Sequence, residues 1–378
     1  MSVFFSCLIA LIVSGNILLP FRPSVVLEGK TASAGALLTD AKVQRILLSH
    51  GIQTHVTDSG SREILTGGLA TYDFVFLSGA PAAQLLARRL EASQGHNPVS
   101  WPFDSPLVLV SHRPYVETLV ANGVARPRPG QGSEPLYYDI DMLRFLTLTR
   151  DRKSWKDIGI GAHGFETVNR VLANTSDVCM SNSAGTYLAL AAFVLNDNGS
   201  PAEPAEARRV AEKVRPILTA QGMPQWDIMS KYLSKAGPRE IPVGVVYEHE
   251  YLAYQMRRQA GYGRPDRSRV LLYPSPSALS WSAFIPLDRS DDLRSSAGLL
   301  GDLLKNDREL RRRAAELGYR SDSAEGGPDE TLSSVLKGAH IPDPGESADY
   351  SKVELPPAEI LEQMIVAVGG CSPVDITR

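Results

Sequence analysis

The run Tyr72-Asp73-Phe74-Val75-Phe76-Leu77 constrains this chain more than any other stretch. Apart from Asp73 it is continuously apolar, and a strand of that kind belongs in a parallel sheet covered on both faces. Its neighbours supply the cover. Ser24 to Lys30 reads as a short strand, and Thr39 to His50 places Val43, Ile46 and Leu47 on one helical face with Gly51 as the stop. Ile52 to Thr57 is a second strand, Pro81 opens a helix through Ala92, and Pro106 to Val110 is a further strand. Strand–helix–strand therefore repeats three times in the first third of the chain, which predicts an α/β fold.

After a Pro-, Gly- and Arg-rich connection from Ala125 to Pro135, a second block begins. Ser181 to Leu195 is apolar all round after a polar cap, which predicts a buried helix. Ala205 to Thr219 and Trp226 to Lys235 read as helices, Val243 to Tyr247 and Arg269 to Tyr273 as returning strands, and Ala297 to Leu317 as one long helix. From Ser321 to Pro357 the composition shifts to Ser, Gly, Pro, Asp and Glu, so a flexible tail is expected, with a last helix over Ala358 to Val368.

With 378 residues, two lobes are the expectation. A net charge of −3 and the lack of a dense basic patch argue against nucleic acid as a partner. The three cysteines, Cys7, Cys179 and Cys371, lack metal-ligand spacing, and no cofactor or metal is expected. Cys179 and Cys371 either pair in an exported protein or remain two thiols. Val3 to Pro20 is apolar enough for a membrane anchor or the core of a signal peptide, which places the protein in the cell envelope.

Two distant stretches read as opposing walls of a ligand cleft. Ser181-Asn182-Ser183-Ala184-Gly185 offers hydroxyls, an amide and free N–H groups at a helix start, while Val245-Val246-Tyr247-Glu248 ends a strand. Ser61-Arg62 and Ser78-Gly79 each follow a strand, at the carboxyl edge where open α/β sheets bind ligands. Arg62 either holds an anionic group or pairs with a neighbouring carboxylate.

Three competing motifs are weaker. Gly159 to Gly164 fits G-x-G-x-x-G, but charged residues precede it where a dinucleotide site needs a buried strand, so a glycine-rich turn is expected. Ser181 to Gly185 resembles a nucleophile elbow, which keeps a serine hydrolase using Ser183 as the alternative function; the later histidines, His249 and His340, are poorly placed to serve it. Glu248-His249-Glu250 reads as a solvated strand end rather than a metal site.

Taken in order, these stretches resemble the bacterial extracellular solute-binding proteins of the type II periplasmic-binding-protein fold. The residues that carry the likeness are Asp58 to Glu63, Tyr72-Asp73-Phe74 with Ser78-Gly79, Trp155 to Gly159, Ser181 to Gly185, Val246-Tyr247-Glu248 and Tyr273 to Pro276. The resemblance implies two lobes joined by two crossovers, with lobe 1 over 23–112, lobe 2 over 113–244, a return to lobe 1 over 245–320, a segment 1–22 before them and a tail 321–378. It implies no enzyme activity, and a small polar or anionic solute held by a monomer that serves a permease or sensor in an import system. The ligand contacts it implies are Gly29, Lys30, Ser61, Arg62, Ser78, Gly79, Ser181, Asn182, Ser183, Tyr247 and Glu248. A third possibility is an envelope interaction protein that keeps the lobes and binds no small molecule.

Overall fold

A computed structural model describes residues 24–94, 99–222, 227–287, 290–321, 331–345 and 352–374. The expected anchor or signal segment lies outside them. Among the described residues no helix is long and apolar enough to cross a membrane.

Among the described residues nine strands form two connected sheets. In the first, β1 (Val25–Thr31) lies between β2 (Ile52–Asp58) and β3 (Phe74–Ser78), all parallel, and β9 (Leu279–Pro286) runs antiparallel beside β3. Every residue of β3 is buried, as its unbroken apolar run predicts. Helices Ala41–Ser49 and Asp291–Asn306 cover one face, with Leu27, Phe74, Phe76 and Phe284 packed beneath them. Helix Ala80–Gln94 covers the other.

Strand β4 (Ser100–His112) joins the sheets. Its residues from Ser100 to Pro106 pair with β9, and those from Leu107 onward pair with β7 (Val243–Tyr247) on one side and β8 (Arg269–Ser275) on the other. Beyond β8 lie β6 (Tyr137–Asp141), parallel to it, and β5 (Ala125–Pro127). The chain thus crosses between lobes inside β4 and again in the short turn from Ser275 to Leu279.

A return to lobe 1 at residue 245 is the expectation from sequence. Val243–Tyr247 pairs with Leu107 to Ser111 in the second sheet, and the strand that returns is β9. An apolar strand carries no mark of which sheet it joins, so the boundary was not readable from sequence. The expected helix over 297–317 is also two helices, Asp291–Asn306 and Arg308–Glu316, because Asp307 accepts the Leu310 N–H and caps the second.

The expected flexible tail is packed wherever it is described. Helix Leu332–Gly338 contributes Leu332 and Leu336 to the apolar cluster that holds Tyr232 and Val246 of the second lobe. Helix Ala358–Gly369 lies across both lobes, with Leu361 and Met364 in the second lobe's core and Ala358 in the first's. A disulfide from Cys371 to Cys179 anchors its end. Helix Asn182–Leu195 is enclosed by this helix, by helix Pro204–Leu218 and by the second sheet. Leu188 and Leu190 are wholly buried, each side chain contributing roughly 1.5–3 kcal/mol.

Candidate ligand cleft between the lobes

Parallel strands end where their N–H and C=O groups run out of partners, and loops at that edge face outward. Here the loops after β1 and β2 form one wall of a cavity of about 800 Å³. Thr31, Ala32 and Ser33 come from the end of β1 and the loop after it, and Asp58, Ser59, Gly60 and Ser61 from the end of β2, its loop and the start of the next helix. The facing wall belongs to the second lobe: Ser176, Met180 to Ser183, the start of helix Ile228–Leu233, and Val245 to Tyr247 with Glu250.

On the second-lobe wall the hydroxyls are linked. Ser183 Oγ lies 2.8 Å from Ser181 Oγ and 3.2 Å from Ser176 Oγ. The Asn182 amide donates to Tyr247 Oη at 3.0 Å and to Thr186 Oγ1 at 3.3 Å. These bonds fix a helix start and a strand end as one rigid surface.

The first-lobe wall is less satisfied. Ser33 Oγ donates to Ser78 Oγ, and Ser61 Oγ to the Ser78 carbonyl. Thr31 Oγ1 and Ser59 Oγ are buried without a hydrogen-bond partner among the described residues. A buried hydroxyl without a partner costs free energy that a bound solute can recover.

At one rim the lobes already touch. The Arg62 N–H donates to the Met180 carbonyl at 3.3 Å. A Cβ on Gly60 would sit 2.3 Å from that same carbonyl oxygen, and one on Gly79, where φ is +107°, would sit 1.9 Å from the Asn182 amide nitrogen. Only glycine permits this approach at either position.

Charge in the cleft is negative. Asp58, Glu63, Asp227 and Glu250 line it, and among the described residues no Lys, Arg or His does. Burial, reinforced by Asp227, pushes the Glu250 carboxyl up to about 7, although it accepts the Tyr247 N–H at 2.9 Å. Burial also raises Asp58 above the usual carboxylate range. The phenol of Tyr247 is raised by burial, so it stays protonated.

The arrangement matches known structures over nearly its whole length. A substrate-binding protein of an ABC transporter from Agrobacterium tumefaciens superposes with TM-score 0.53 at 12% identity, covering 92% of this chain and 96% of that one. The periplasmic binding protein AfuA from Actinobacillus pleuropneumoniae, with fructose-6-phosphate bound, gives 0.54 at 11% identity over 92% and 98%. Iron-bound HitA from Pseudomonas aeruginosa gives 0.52 at 12% identity over 91% and 99%.

This is the type II periplasmic-binding-protein fold.

No sequence family matches the chain, and no curated protein matches it either. At these identities the likeness to solved structures concerns the fold.

Within the periplasmic-binding-protein fold, the residues expected from sequence divide into three groups. Ser61, Ser181, Asn182, Ser183 and Tyr247 line the cavity. Ser78 and Gly79 stand just behind it, Ser78 holding Ser33 and Ser61 and Gly79 abutting Asn182. Gly29, Lys30, Arg62 and Glu248 do not line it. Gly29 lies inside β1, where a Cβ would strike the Phe74 ring, and the Lys30 ammonium rests 5.7 Å from the Tyr72 ring centre. Arg62 turns to the C-terminal helix and grips Glu362 with two bonds, of 2.6 and 3.0 Å. Glu248 is fully buried, held by Arg320 at 2.6 and 2.8 Å and by the Tyr273 hydroxyl.

Glu248-His249-Glu250 is therefore not a solvated strand end. Helix Glu248–Tyr262 begins there, turning Glu248 and His249 into the interior and Glu250 toward the cleft. His249 contacts Ser105 through Nδ1 and stacks on Tyr319, and burial lowers it to about 3. The Gly159–Gly164 pattern is a short turn with both end glycines in the left-handed region, as expected.

Sequence reasoning missed Thr31, Ser33, Asp58, Ser59, Ser176, Asp227 and Glu250. Two signals could have found some of them. Thr31-Ala32-Ser33 obeys the same edge rule as Ser59 to Ser61, once β1 is extended by one residue. Glu250 stands three residues after Tyr247, the spacing of a capping box.

Proposed function

We propose that the protein captures a small polar solute between its two lobes and presents it to a membrane permease of an ABC-type import system. The observation that carries this is the cavity of about 800 Å³ whose walls come from both lobes. A solute can drive closure only by contacting both halves. Unpartnered hydroxyls on one wall and a rigid serine, asparagine and tyrosine surface on the other suit such a guest. By sheet pairing, the lobes are 24–106 with 279–320, and 107–275, with the hinge inside β4 and in the turn before β9.

Binding rather than catalysis is supported by the setting of Ser183. Its hydroxyl is engaged with two other hydroxyls, and among the described residues no histidine lines the cavity. Serine attack needs a base within hydrogen-bond reach. The Cys179–Cys371 disulfide supports an extracytoplasmic location, because such bonds persist in oxidising compartments.

Native mass spectrometry of protein purified from its own source tests the proposal. A retained small molecule, lost on partial unfolding and weakened by Asn182→Ala and by Tyr247→Phe, is the expected result. A chain that never carries a ligand and binds none of a panel of oxyanions, sugars, amino acids and amines contradicts it.

A further inference from the structure

We propose that the solute is an organic cation, one bearing a protonated amine or guanidinium group, rather than an oxyanion. The inference rests on the solute-binding reading of the same cleft and names its ligand class.

The walls of the cleft carry carboxylates on both sides. Asp58 and Glu63 stand on the first lobe, Asp227 and Glu250 on the second, and among the described residues no basic side chain lines the cavity. Two acidic walls repel as they approach, and a cation between them reverses that sign. Closure on such a guest is favoured by both halves at once, whereas an anion would add to the repulsion.

Helix N-termini are the usual alternative source of positive potential, and here most are already occupied. Glu63 accepts the Gly60 N–H at the start of helix Ser61–Thr66. Asp227 accepts the Ser230 N–H at the start of helix Ile228–Leu233. Glu250 accepts the Tyr247 N–H at the start of helix Glu248–Tyr262. A helix N-terminus supplies roughly half a positive charge, so an ionised carboxylate there leaves the end net negative, while Glu250, pushed up to about 7, carries only part of its charge at neutral pH. Two helix starts at this cavity carry no carboxylate: helix Gly35–Leu38, and helix Asn182–Leu195, whose entry is dressed with serine hydroxyls.

An independent observation concerns unpartnered hydroxyls on the first-lobe wall. Thr31 is 1% exposed and lines the cavity, and its hydroxyl has no partner among the described residues; the Ser59 hydroxyl beside it is in the same state. An ammonium group brings only donors and needs acceptors around it. The Thr31 and Ser59 hydroxyl oxygens, on the same wall as Asp58, can accept from such a group, as they can also donate to other guests.

The test is calorimetric titration of the full chain with 1,4-diaminobutane, spermidine, arginine and choline, set against inorganic phosphate, sulfate and glucose. At least one amine is expected to bind, and binding should weaken as salt is raised. Asp58→Asn and Asp227→Asn should each weaken it about five- to tenfold. Asn at 227 can still cap Ser230, so the fold is kept, and circular dichroism of each variant checks this. Binding of phosphate, sulfate or glucose with no amine binding overturns the cation inference and leaves solute capture standing. Binding of a divalent metal ion alone also overturns it. If no probe binds and native mass spectrometry finds no retained solute, both readings fall together.

Discussion

Arg62 of the first lobe and Glu362 of the C-terminal helix form a buried two-bond ion pair, with Nη2–Oε1 at 2.6 Å and Nε–Oε2 at 3.0 Å. The same guanidinium donates to the carbonyls of Cys179, in the second lobe, and Ser372. One side chain thus ties the first lobe to the second and to the end of the chain.

Removing Glu362 leaves Arg62 charged and unpaired in the interior. Glu362→Ala is expected to cost about 3 kcal/mol, the lower end for breaking a buried pair. Urea unfolding followed by circular dichroism measures it. A change below about 0.5 kcal/mol, the range of ordinary surface substitutions, contradicts this role.

Gly60 has an ordinary φ of −67°, so alanine there strains no backbone and tests the close approach alone. Its Cβ would lie 2.3 Å from the Met180 oxygen. Gly60→Ala should hold the lobes apart, read as a larger radius of gyration in small-angle scattering. A scattering curve identical to wild type would show that the rim contact does not limit closure.

Glu250 makes stability depend on pH. Its folded value of about 7 lies above the ordinary 4.5, so the native state holds the proton more tightly than the unfolded chain. This contribution is full below about pH 4.5 and is lost as pH rises through about 7. Glu250→Gln should therefore match wild type near pH 4.5 and exceed it at pH 8, by on the order of 1–2 kcal/mol after allowance for partial exposure. His249, lowered to about 3, acts with the opposite sign: its contribution is present above the ordinary 6.5 and falls away in acid. It is common to both proteins, so the difference between their melting curves isolates Glu250. A gap that does not grow with pH contradicts the assignment.

The Cys179–Cys371 bond closes a loop across 192 positions. Cys371→Ser, or reduction by dithiothreitol, is expected to destabilise the protein by about 2–5 kcal/mol. Thermal melting with and without reductant checks this; equal midpoints would show that the C-terminal helix is held by packing alone.

The α/β character was legible because Phe74 to Leu77 and Val243 to Tyr247 are apolar runs too short for helices. Helix Asn182–Leu195 was legible from its polar cap and uniform apolar body. Ser100 to Ser105 was not, since Pro102 and Asp104 disfavour a strand and only pairing with β9 makes one. The cleft was half legible for a related reason. Residues at strand and helix ends were found by the edge rule, but the start of helix Glu248–Tyr262 was read as strand. In a strand, residues 248 and 250 share a face; in a helix they part, Glu248 going to Arg320 and Glu250 to the cleft. Arg62 misled because its true partner, Glu362, lies 300 positions away, and sequence proximity offered only local carboxylates.

The most direct test of the account is a crystal structure with the retained solute in place. The account predicts that the solute lies between Thr31 and Ser59 on one side and Ser181, Asn182 and Tyr247 on the other, with hydrogen bonds to both lobes. A solute seated elsewhere, or touching one lobe only, would contradict it.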